Sequence, residues 1–294
     1  MLEVNGITVK EFFDENTFTL SYVAWDNSSR DAVVIDPVLD IDIAGGYFFT
    51  SSSDALLGFI EERELNVHYI LETHAHADHL SGASYIKKVL PNAKTGIGNN
   101  IISVQETFSS LLNLELDNFG SQFDQLFNDD EIVKAGSLSF KVLFTPGHTP
   151  ACTSLLFDGL IFTGDALFMP DYGTGRCDFP SGSAEKLYDS IQKIYSLPTD
   201  TIICTGHDYL PNGRDLRFHC TVEESMANNI RLNESTSRED FIKFRSERDA
   251  TLSAPKLLYP SLQVNICGGQ LPNAESNGVR YLKTPLISKN DKYF

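Results

Sequence analysis

Three of the seven histidines in this chain fall within six residues, in the run Thr73-His74-Ala75-His76-Ala77-Asp78-His79. The run follows directly on a β-branched and apolar segment, 67–73, that reads as a strand. A loop at a strand end needs few polar side chains, so packing gives no reason for three imidazoles and a carboxylate there. Imidazole and carboxylate together suit Zn, Fe, Mn or Ni. The fold must therefore be one whose strands end in loops that present ligands from a rigid scaffold.

Further segments fit the same requirement. Phe144-Thr-Pro-Gly-His148 follows an expected strand at 137–145, Phe162-Thr-Gly-Asp165 follows a strand pair at 153–158 and 160–164, and Thr205-Gly-His207 follows a strand at 201–205. Gly147, Gly164 and Gly206 each precede a ligand candidate, where a residue without Cβ lets the chain turn and aim the next side chain. His68 and His219 stand alone and read as surface or core residues.

The remaining pattern is strands with interleaved helices. Strands are expected at 7–14, 18–26, 31–38 and 93–97, an irregular loop at 41–51, and helices at 53–64, 81–90, 99–115, 183–196, 221–234 and 238–252. Ser53 is the expected cap of the first helix, and the tail from 255 to 287 carries little regular signal. The order suits an α/β layered sandwich with helices outside. Residues 1–220 read as one catalytic domain, and 221–294 as a helical extension and tail packed on it.

Charge narrows the partners. With 23 basic against 40 acidic residues the formal net charge is −17. That argues against nucleic acid and against an anionic membrane surface, so an anionic substrate needs a locally basic pocket. No secretory signal and no apolar run of membrane-spanning length is evident. Five scattered cysteines without a C-x-x-C pair fit reduced thiols in a cytoplasmic protein.

The motifs T-H-A-H-A-D-H, P-G-H148-T, F-T-G-D165 and G-H207-D resemble the five-motif signature of the metallo-β-lactamase superfamily in order and spacing. The resemblance implies an αββα sandwich with two mixed sheets, metal at the sheet edges, and Asp36 as a buried brace for the histidine loop. Two subfamilies share the ligand set: glyoxalase II thioesterases and persulfide dioxygenases. The segment G-T-G-R176-C-D178-F, the Asp208-Tyr209 pair and N-G-V-R-Y-L-K-T-P-L at 277–286 look like the persulfide dioxygenases, in a longer bacterial branch.

That likeness implies one Fe(II) per chain, held by His74, His148 and Asp165, and oxidation of glutathione persulfide by O2 to sulfite and glutathione. His76, Asp78, His79 and His207 would then orient the pocket and assist proton movement without binding iron, whereas a two-metal hydrolase of glutathione thioesters would use them as direct ligands. Relatives are often dimers, so a homodimer is the corresponding assembly. Glutathione carries two carboxylates, and Arg176, Arg214 and Arg217 with Tyr172 and Tyr209 are the candidate tripeptide pocket. The alternatives are that Arg176 pairs with Asp178 to brace its loop, and that Arg214 and Arg217 are solvated charges. Cys177 reads as a small buried filler.

Overall fold

The computed structural model describes residues 1–286; residues 287–294, the end of the 221–294 extension, lie outside it. Two sheets stack face to face. In the first, the strands run in the order β1 (Leu2–Val4), β2 (Ile7–Asp14), β3 (Thr19–Asp26), β4 (Asp31–Ile35), β7 (Asn66–Leu71), β9 (Lys94–Gly98) and β10 (Gln125–Phe127). In the second, the order is β11 (Ile132–Ala135), β12 (Leu138–Phe144), β13 (Thr153–Phe157), β14 (Leu160–Phe162), β15 (Ile202–Cys204) and β16 (His219–Thr221). A small sheet is formed by β6 (Tyr47–Phe49), β5 (Val38–Asp42) and β8 (Leu80–Ser81), and β6 with the end of β5 falls within the stretch 41–51 read as an irregular loop.

Strand alternation builds the layers. On β3, Tyr22 and Ala24 point into the core between the sheets, while Val23 and Trp25 point out toward the helices α1 (Ser51–Glu62) and α2 (Ala83–Val89). Because both faces are covered, β3 is buried almost throughout, its polar Thr19 and Ser21 included. On β14 the same rule sends Leu160 and Phe162 inward and Ile161 outward, against α4 (Ala184–Tyr195). Leu187, Ile191 and Ile194 of α4 are fully buried, and each such side chain contributes about 1.5–3 kcal/mol. Ser183 caps α4 by accepting from the Lys186 N–H. The result is the expected αββα sandwich.

The first helix begins at Ser51, and the hydroxyl of Ser53 donates to the Val38 carbonyl instead of capping. Downstream of the sheets, α5 (Val222–Asn228) and α6 (Arg238–Asp249) pack on α4. The expected helix 221–234 stops early because the Asn229 side chain accepts from the Arg231 and Leu232 N–H groups, which turns the chain. Farther on, α7 (Leu258–Asn265) lies in the stretch read as irregular and packs against α3 (Ile101–Leu112) and β8.

Candidate metal centre

Four strand ends converge at one edge of the sandwich. The loop after β7 carries His74, His76, Asp78 and His79; the loops after β12, β14 and β15 bring His148, Asp165 and His207. All except Asp78 are buried. The donor atoms fall into sets within which all lie no more than 4.8 Å apart: His74, His148 and Asp165 in one, and His76, Asp78, His79 and His207 in another. His76 also joins Asp36 and Glu72 in a third.

Hydrogen bonds fix how the His148 and His74 rings face. Arg176 O can only accept, so the His148 Nδ1–H donates to it at 2.7 Å and Nε2 carries the lone pair. Asp36, at the end of β4, accepts from the Thr73 N–H (2.7 Å) and the Thr73 hydroxyl (2.8 Å). The Thr73 oxygen in turn accepts from His74 Nδ1 (3.0 Å), which again frees Nε2. His74 Nε2 then stands 3.9 Å, and His148 Nε2 3.5 Å, from the same Asp165 oxygen. The other Asp165 oxygen lies 3.4 Å from His207 Nε2. Gly164 sets up Asp165: its φ is +49°, and a Cβ there would come within 2.5 Å of the Thr73 hydroxyl.

His76 is oriented differently. Its Nε2 is 3.0 Å from Asp36 and 3.5 Å from Glu72. Burial opposes its protonation, but the charge of Asp36, helped by Glu72, raises its pKa well above the usual histidine range. Burial, reinforced by the positive neighbours, pushes His74 well below that range, as a neutral ligand requires.

The donor set fits a metal ion. His74 Nε2, His79 Nε2, His207 Nε2 and an oxygen each of Asp78 and Asp165 are buried without a hydrogen-bond partner. Buried polar atoms are nearly always satisfied, and here the orphans point at one another. Two imidazoles and a carboxylate on one face leave room for further ligands, as in mononuclear iron sites.

Above the cluster opens a cavity of about 410 Å³, in the range of small-molecule sites. Asp78, His148 and Asp165 form part of its lining. Tyr172 and Tyr209, stacked with centroids 4.5 Å apart, make one wall, and Tyr209 also stacks on His207. Arg176 lines the cavity, but its guanidinium grips both oxygens of Asp178 and the Ser253 carbonyl. Arg214 and Arg217 are not among the lining residues. Arg214 clamps Asp171 and the buried Asp208, and Arg217 pairs with Glu224.

The cavity instead presents arginines that the sequence reading missed. Arg231, Arg245 and Arg248 line it, all from the extension beyond residue 220. Arg245 is buried against Asp249. Among the described residues Arg231 and Arg248 pair with no carboxylate; Arg231 lies over the Phe244 ring, 4.5 Å from its centroid. Only spatial proximity could reveal them, since Arg231 lies in the turn after α5 and the helix α6 that carries Arg245 and Arg248 looks like an ordinary charged helix. His68 pairs with Asp31 away from the site, and His219 packs on Phe218.

Comparison with known proteins follows the same line. A family model described as the metallo-beta-lactamase superfamily matches residues 15–207, which include every ligand candidate. The chain belongs to the metallo-beta-lactamase superfamily. Within it, the chain is 46% identical to Glyoxylase B2 of Dictyostelium discoideum over 96% of this chain and 98% of that protein. It is 33% identical to the mitochondrial persulfide dioxygenase ETHE1 of Homo sapiens over 91% of each. The crystal structure of ETHE1 from Myxococcus xanthus superimposes with a TM-score of 0.72 at 30% identity, covering 90% of this chain and all of that one. These names point to two chemistries within one superfamily. Among the described residues no helix is long and apolar enough to cross a membrane.

Proposed function

We propose that this superfamily member is an iron-dependent persulfide dioxygenase acting on glutathione persulfide, with residues 230–255 of the extension completing the substrate pocket of the catalytic domain. The observation that carries the reading is the division among the histidines. His74, His148 and Asp165 face one another, the last two lining the cavity, while His76 Nε2 lies 3.0 Å from Asp36 and 3.5 Å from Glu72. Three ligands on one face suit one Fe(II), which would supply the electron transfer to O2 that d10 zinc does not. The likeness to the human and Myxococcus ETHE1 proteins supports the same reading.

The chain's own groups have corresponding tasks. The Arg176 carbonyl and the Thr73–Asp36 relay hold the two imidazoles in the tautomer that offers Nε2. One persulfide, one O2 and one water give glutathione, sulfite and two protons. Asp78, whose Oδ2 is 3.1 Å from His207 Nε2, lines the cavity and would orient that imidazole. Tyr172 and Tyr209 exclude water along one wall, and Arg231 and Arg248 offer unneutralised cations to the carboxylates of the tripeptide.

A second reading rests on the second donor set. His76, Asp78, His79 and His207 could hold another metal, which would make a two-metal hydrolase of glutathione thioesters; the likeness to Glyoxylase B2 favours it. Elemental analysis with an oxygen electrode separates the two. One iron per chain and O2 uptake with glutathione persulfide are expected. Two metals per chain, thioester hydrolysis and no O2 uptake would replace the first reading with the second.

A further inference from the structure

The metal-binding loop is held from the far end of the chain. Asn265, the last residue of α7, is 4% exposed and inserts its amide beneath the histidine run. Its Nδ2 donates to the His76 carbonyl and to the His79 carbonyl, both at 2.8 Å. Its Oδ1 accepts from the Ser81 N–H, also at 2.8 Å. Three main-chain groups of one six-residue stretch are thus tied to a single side chain 184–189 residues away.

An amide is the side chain that fits this task. It offers two donors and an acceptor in one plane, whereas a carboxylate offers no donor and a hydroxyl only one. The helix that carries it is itself fixed. Gln105 of α3 donates to the Ile266 carbonyl, and Leu262 and Ile266 are buried in the cluster that contains Ala75 of the loop. Gly269 brings the following turn against the start of α2: with φ +78°, its Cβ position lies only 3.0 Å from Ser84 N. The two bonded carbonyls belong to His76 and His79, which bracket Asp78, so the amide fixes the path of the loop on which three donor residues ride.

We propose that Asn265 is a positioning residue for the metal centre, setting the loop geometry and thereby the metal affinity. The inference rests on the ligand reading above: with two metals the amide holds the segment that carries three ligands, and with one it holds the segment that continues directly from His74. Groups that orient ligands from outside the coordination sphere typically alter metal affinity about 10–100-fold when replaced.

The test titrates metal-free full-length protein with Co(II), followed by its visible absorption and by chelator competition. Asn265→Asp keeps the acceptor for Ser81 and loses both donors, and Asn265→Ala loses all three bonds. Both are expected to weaken Co(II) binding about 10–100-fold and to change the band shape. Leu262→Ala disturbs the same helix through packing alone; it is expected to lower Tm while leaving Co(II) affinity within about twofold. Wild-type affinity in both Asn265 variants, or an equal loss in Leu262→Ala, overturns the proposal.

A measurement on the wild type guards against variants that do not fold. Coupling between two sites is reciprocal, so Co(II) binding is expected to slow amide hydrogen exchange across residues 258–267. Unchanged exchange there overturns the proposal as well. A wild-type chain that binds no Co(II) sinks the ligand reading and this inference together, whereas normal wild-type binding with unaffected variants sinks this inference alone.

Discussion

Replacing Arg231 by Met tests which cations receive the substrate. Met keeps an unbranched apolar stem and removes the guanidinium, together with its stacking over Phe244. A hydrogen bond between charged partners contributes about 1.5–3 kcal/mol when well desolvated. Arg231 is half-buried and Arg248 exposed, so solvent screening puts Arg231 near the low end of that range and Arg248 below it. At 1.4 kcal/mol per decade, KM for the glutathione substrate should rise about tenfold in Arg231→Met and about threefold in Arg248→Met. If the two act independently the double variant should reach roughly thirtyfold. The contact lies far from the reacting sulfur and is made equally in ground and transition states, so kcat should stay within about twofold. Arg176→Met, whose charge Asp178 already neutralises, should leave KM within about twofold. Steady-state kinetics at low and high salt is the assay, because screening should raise the wild-type KM and leave that of the double variant nearly flat. The pocket assignment fails if the double variant keeps the wild-type KM, or if Arg176→Met shows the largest rise. Both sulfur chemistries considered above act on glutathione derivatives, so the outcome does not depend on which one operates.

Three further outcomes are expected. Asp165→Ala should lose bound metal and turnover together, read by elemental analysis and activity; a variant with full metal content would remove Asp165 from the ligand set. Tyr22→Phe strips the hydroxyl that bonds across the sandwich to the Thr205 carbonyl at 2.6 Å, and a buried acceptor left unpaired costs about 1–3 kcal/mol. Over 294 residues that lowers Tm by about 2–5 °C in a calorimetric scan, and an unchanged Tm would refute the value given to that bond. Burial pushes Cys152 and Cys220 up to about 12 and Cys267 to about 11. At pH 8 a thiol of pKa 12 is roughly one part in 10⁴ thiolate, against about a quarter for an ordinary one. Ellman's reagent should therefore label the native chain far more slowly than the unfolded one, with five thiols appearing in denaturant. Rapid native labelling would contradict the burial.

The histidine run was legible because its ligands are local and concentrated, and because each remaining ligand sits at the end of an apolar strand. The arginines show where that legibility stops. Arg176, Arg214 and Arg217 lie beside the motifs in sequence, yet each is spent on an acidic neighbour, and two of those neighbours, Asp171 and Glu224, carry no sequence signal of pairing. Arg231 reaches the cavity because the Asn229 turn ends α5 and redirects the chain, a tertiary event without a periodic signature. The helix α7 escaped notice for a related reason. Residues from Pro260 to Asn265 are buried on every side, so no amphipathic stripe marks it, and Pro260 within the helix reads as a breaker. Strands such as β10 and β16 are three residues long, too short to alternate.

The tie between Asn265 and the histidine loop has a bearing on how the protein matures. Ribosomes make chains from the N-terminus, so His79 emerges 186 residues before the amide that supports its carbonyl. For most of its synthesis the nascent polypeptide carries the imidazoles on an unsupported segment. Tight metal capture is therefore expected only after the last helix docks, and arrested chains ending before residue 258 should retain Co(II) far more weakly than the full-length product.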